Sequence, residues 1–143
     1  MSEGLRLRME FRDTELPLVR ALVEEASLRA RLTGSAGGAF GQAVLEIATD
    51  AAARGADPGT VELRVRQGEL LGEVTYGGGG PSTARPEGLG PRLAESLIAG
   101  IGAPARIDVR DTPGGTSVTL SAPLPAPLPA PARTPPATAL PAR

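Results

Sequence analysis

Val61-Glu62-Leu63-Arg64-Val65-Arg66-Gln67-Gly68-Glu69-Leu70-Leu71-Gly72-Glu73-Val74-Thr75-Tyr76 decides the fold. Val61, Leu63 and Val65 alternate with Glu62, Arg64 and Arg66, the period of a strand buried on one face. Gln67-Gly68-Glu69 has the composition of a hairpin turn. Leu70 to Tyr76 is then the returning strand.

Working outward, Leu5 to Phe11 alternate in the same way and predict another strand. Asp13 or Thr14 is placed to cap a following helix, with Pro17 in its first turn. Leu18, Leu22, Ala26 and Leu28 predict its buried stripe, and the helix spans 14–32. Gly34 to Gly38 reads as a glycine-rich link to a second helix over 39–54. Phe40, Val44, Ile47, Ala48 and Ala51 fall at three- and four-residue steps and mark its buried face. Asp57-Pro58-Gly59 turns the chain into the hairpin.

After the hairpin come Gly77 to Gly80 and a polar loop, then a third helix from Pro91 to about Ile101. Residues 105–110 and 116–121 predict a last strand pair. Strands in runs separated by helices in runs predict an α+β fold. The expected form is a two-layer α/β sandwich, its sheet mixed but mostly antiparallel, with the helices on one face.

From Ala122 the composition changes, with proline at every second position from 123 to 131. Proline cannot donate to a ladder, so residues 122–143 predict a disordered Pro/Ala-rich tail behind a domain spanning 1–121. A solvated spacer and a ligand for a proline-recognising partner are both open for it.

Bulk composition removes several function classes. A chain of 143 residues supports one domain with a modest core. Net charge is -1, so there is no electrostatic case for direct nucleic-acid binding. All 15 basic residues are arginine, a pattern that fits codon bias in a GC-rich genome. With no Cys there is neither a disulfide framework nor a thiolate metal site. With no His there is no Ser-His-Asp triad. Neither a secretory signal nor a run approaching the roughly 20 apolar residues of a membrane span is visible. The expectation is a cytoplasmic protein without a membrane segment.

Four stretches carry candidate chemistry. Glu46, Asp50 and Arg54 recur at four-residue steps, which stacks them on one helix face. An ordinary polar face with one ion pair has the same pattern. Tyr76-Gly77-Gly78-Gly79-Gly80 follows a strand. Gly88-Leu89-Gly90-Pro91-Arg92-Leu93 opens a helix, whose N-terminus attracts anions. Gly114-Gly115-Thr116 opens the last strand.

In this order, the four stretches resemble the histidine-kinase-like (GHKL, Bergerat-fold) ATPases, over residues 5 to 121. The closest likeness is to the anti-sigma-factor serine kinases and their actinobacterial relatives. The resemblance implies ATP and magnesium as cofactors. It implies Glu46 as the catalytic residue that orients or activates the nucleophile. It puts Asp50 where the family holds magnesium with Asn, and Arg54 where His is common. Asp is itself a hard-oxygen ligand suited to magnesium.

It puts Gly78 and Gly80 in the family's Asp-x-Gly-x-Gly loop, with Tyr76 replacing the Asp that reads adenine. The ring either fills part of the adenine pocket or stacks on a base. Gly88, Gly90 and Arg92 fall at the phosphate-binding helix start, where Pro91 removes one N–H donor. Thr116 falls in the Gly-Gly-Thr of the last strand.

The departures lie on the metal ligand and the adenine ligand. Three readings stand side by side. The first is a degenerate module acting by protein–protein binding, with a sigma factor or anti-anti-sigma protein as partner and a homodimer allowed. The second is an active Mg-ATP-dependent serine/threonine kinase. The third is an unrelated scaffold whose glycines only turn the chain.

Overall fold

The structure is a computed structural model and describes residues 4–54, 57–77 and 89–125. Five strands form one sheet in the order β1-β2-β3-β5-β4. They are β1 (Arg6–Phe11), β2 (Gly59–Arg66), β3 (Glu69–Gly77), β4 (Arg106–Thr112) and β5 (Gly115–Pro123). All four pairings are antiparallel. Three helices complete the described fold: α1 (Leu16–Ala30), α2 (Gly34–Arg54) and α3 (Leu89–Ile101). The protein is an α+β two-layer sandwich.

Alternation places Val61, Leu63 and Val65 of β2 on the buried face. Leu70, Gly72, Val74 and Tyr76 of β3 join them, with Thr116, Val118, Leu120 and Ala122 of β5. Register aligns these into rows, such as Leu63–Gly72–Leu120 across three strands. Gly72 leaves a gap in that row, and α2 fills it. A Cβ there would stand 3.3 Å from both Phe40 and Val44. Phe40, Val44, Leu63 and Leu120 are fully buried. Each such side chain contributes about 1.5–3 kcal/mol of apolar burial.

The opposite face is polar and laced across strands. Arg6 pairs with Glu62, Arg64 lies 3.6 Å from Glu73, and Arg106 lies 2.9 Å from Glu69. Ser117 donates to Glu73 at 2.9 Å. None of the helices in the described residues is long and apolar enough to cross a membrane.

Several boundaries differ from the sequence reading. Residues 13–15 form a 3-10 turn, and Glu15, not Asp13 or Thr14, accepts the backbone N–H of Arg12 at 2.7 Å. The buried stripe of α1 is Val19, Val23, Ala26, Ser27 and Ala30. It is rotated from the expected one, leaving Leu18 and Leu28 at 58% and 65% exposure. Helix α1 ends where Arg31 adopts the left-handed conformation and Leu32 N–H reaches Ser27 O at 2.9 Å.

The glycine stretch from Gly34 is not a link; it is the start of α2. Tertiary packing overrides weak helix propensity here. A Cβ on Gly37 would collide with the Leu32 carbonyl oxygen, and one on Gly41 would touch Val23 at 3.5 Å. Helix α3 begins at Leu89, two residues before Pro91. Strand β5 runs through Pro123, past the expected end at Ser121. Ala122 pairs with Leu70 and is fully buried, and Leu124 N–H donates to Gly68 O at 2.9 Å. Residues 126–143, most of the expected tail, lie outside the described residues.

Candidate functional site

The C-terminal half of α2 carries Glu46, Asp50 and Arg54 on one stripe, as their spacing requires. Gln42, one turn earlier, donates from Nε2 to Glu46 Oε2 at 2.8 Å. Arg54 Nε donates to Asp50 Oδ2 at 3.2 Å. The side chains of this pair are only 22% and 16% exposed, so the Asp50 charge is met inside the fold.

Helix α3 starts directly on this stripe. A Cβ on Gly90 would lie 2.6 Å from Glu46 O and 3.0 Å from Asp50 Cβ. Only glycine allows the two helices so close. Gly90, Ala94 and Ile98 form the buried face of α3, and Arg92 lies on its exposed side. Arg92 therefore does not join the stripe.

The ends of β3 and β5 bring the other candidates together. Tyr76 pairs in register with Thr116, and Gly77 with Gly115. Tyr76 is 6% exposed and belongs to the hydrophobic core. Thr116 is also buried, and its hydroxyl donates to Asp111 Oδ1 at 3.4 Å. Asp57 Oδ2 stands 3.7 Å from where a Gly77 side chain would begin. Gly78, Gly80 and Gly88 lie outside the described residues.

Glu46, Asp50 and Gly90 are thus in one place, while Tyr76 and Thr116 are neighbours on the buried face of the sheet. Sequence reasoning missed Gln42 and Asp111. Gln42 was findable, since it stands four residues before Glu46 on the same stripe. Asp111 lies one residue past the expected strand 105–110, near the end of β4. Among the described residues no three acidic side chains gather as a metal site. Asp50 is the candidate ligand of the stripe, and Arg54 already pairs with it.

Compared with models of known protein families and with curated proteins, the chain gives no match.

Proposed function

We propose that this chain is a regulatory module that resembles the anti-sigma-factor kinase domain, lacks its nucleotide chemistry, and acts by binding a protein partner. The observation that carries this reading is the burial of Tyr76 to 6% exposure within the core. At that position the resembling domains present a carboxylate to adenine. Here a phenol ring takes its place and packs with the apolar residues behind the sheet.

Two further observations support it. The Asp50–Arg54 pair satisfies the charge that a magnesium ion would need. The contact of Gly90 with Glu46 brings α3 onto the stripe. In this reading the stripe does not serve Mg-ATP. By resemblance, the partner is a sigma factor or an anti-anti-sigma protein in the cytoplasm, with a homodimer as the second assembly to test.

One observation favours an active Mg-ATP-dependent kinase instead. Glu46 is retained and its carboxylate is oriented by Gln42, as an activating base needs to be. In that reading Asp50 holds the metal and Arg54 moves away.

Thermal denaturation with Mg-ATP separates the two. A ligand that binds the native state raises stability as RT ln(1 + [L]/Kd). The degenerate reading expects no rise of the midpoint at millimolar Mg-ATP. It expects a rise in the double variant Tyr76→Asp, Asp50→Asn. A concentration-dependent rise in the unaltered chain favours the kinase.

A further inference from the structure

Strand β4 is an outer strand of the sheet, paired with β5 alone among the described residues. Its register with β5 is unbroken from Arg106 to Thr112, so the edge carries no bulge. Pro113 and Gly114 alone separate Thr112 from its partner Gly115, and a two-residue hairpin closes on a hydrogen-bonded pair. Alternation from Thr112 then turns the backbone N–H and C=O groups of Ile107, Val109 and Asp111 away from β5, toward the open edge. An open row of this kind is a template for another strand.

The side chains select which strand. Val109 lies opposite Val118, on the helix-bearing face, yet is 53% exposed. Asp108 and Arg110 stand on the other face, both exposed. Elsewhere on that face Arg6, Arg64 and Arg106 reach carboxylates on neighbouring strands. Among the described residues, neither Asp108 nor Arg110 has a partner at ion-pair distance. Edge charges usually repel a second copy, and here they do so selectively. Antiparallel pairing of β4 with its own copy, centred on Val109, sets Asp108 against Arg110 of the second copy and pairs all of 106–112. Centring on Asp108 or on Arg110 opposes like charges, and centring on Asp111 opposes that carboxylate to itself. Centring on Ile107 runs Arg110 onto Pro104 and leaves Asp111 and Thr112 outside the ladder. At the other edge, β1, the register that opposes Arg8 to Glu10 also sets Arg6 against Arg12. Leu7 and Met9 there are only part-exposed.

We propose that β4 is a self-association edge, at which a second copy of this chain adds its own β4 antiparallel about Val109 and the two sheets become one. The contact is isologous, so the Asp108–Arg110 pair forms on both sides of the two-fold axis. These residues occupy non-hydrogen-bonded positions of the new ladder, where side chains come closest. Val109 meets Val109 at the axis and loses its exposure. A net charge of -1 sets little overall repulsion against the pairing. The inference rests on β4 alone and is independent of what the α2 stripe binds.

Sedimentation velocity of the full chain over a range of concentrations tests it. The expected result is a monomer–dimer equilibrium. Asp108→Arg and Arg110→Asp each turn both charge pairs into like pairs, and each should weaken dimerisation about tenfold or more. An equimolar mixture of the two variants should dimerise again, since each strand then opposes the other's charges. Both residues are exposed, so both variants should fold. A chain that stays monomeric at submillimolar concentration overturns the proposal. So do single variants that associate as tightly as the unaltered chain, or a mixture that associates no better than either alone. The chain has no Cys, so Val109→Cys supplies a lone thiol. Facing Cα atoms of a hydrogen-bonded pair, about 5.5 Å apart, suit a disulfide. Oxidation should link chains carrying Val109→Cys and not those carrying Met9→Cys; linkage confined to Met9→Cys places the contact at β1 and overturns the proposal.

Discussion

Gly90 of α3 sits on the backbone of Glu46 in α2, so close that a Cβ would stand 2.6 Å from the Glu46 carbonyl oxygen. Backbone cannot yield as a flexible side chain can. Gly90→Ala should therefore destabilise the fold by about 1–3 kcal/mol, the usual range for overpacking. Gly100, in the same helix, has nothing within 4 Å of its Cβ position. There the same substitution should be neutral or stabilising by up to about 1 kcal/mol, from helix propensity alone. Urea denaturation of both variants checks this; equal effects would contradict the close packing.

Tyr76 gives the second prediction. As a core side chain at 6% exposure, its replacement by Ala should cost about 3–5 kcal/mol, as for other large aromatics. Leu89, at 69% exposure, should tolerate Ala within about 0.5 kcal/mol. The two midpoints in chemical denaturation provide the comparison. A loss below about 1 kcal/mol for Tyr76→Ala would place the ring in an open pocket rather than in the core.

The sheet was legible because alternation in β2, β3 and β5 leaves one choice of buried face. The rows through Val61, Val74 and Val118 follow from it directly. The start of α2 was not legible. Glycine in a run reads as a flexible link unless one knows that Leu32 and Val23 press against it. The spacing of Gly34, Gly37, Gly38 and Gly41 was the available signal, since it continues the helical period. The α1 stripe was misread for a related reason: larger Leu18 and Leu28 outrank Val19 and Val23 in hydrophobicity but not in position. At the candidate site, spacing was enough to join Glu46 with Asp50. The approach of Gly90 and the pairing of Tyr76 with Thr116 depend on tertiary structure and had no local signature.

The end of β5 gives a third prediction. A chain ending at Ser121 loses buried Ala122, its pairing with Leu70, and the Leu124 bond to Gly68. It should lose about 1–3 kcal/mol, from the removed ladder bonds and burial. A chain ending at Pro125 keeps these contacts and should melt with the full chain. Calorimetric melting of the two truncations decides it. Equal midpoints for both would show that residues 122–125 contribute nothing.

The proposed reading is that Tyr76 and the Glu46–Asp50 stripe do not serve Mg-ATP. Isothermal titration of Mg-ATP into the full chain tests it most directly. Losing a charged hydrogen-bond partner costs about 1.5–3 kcal/mol, or roughly ten- to a hundredfold in affinity; under the proposed reading, Tyr76 and Asp50 stand where the resembling domains contact adenine and metal. The account predicts no heat at millimolar Mg-ATP, and binding in the variant that combines Tyr76→Asp with Asp50→Asn. Micromolar binding by the unaltered chain, kept in Glu46→Ala and abolished in Asp50→Ala, would contradict it.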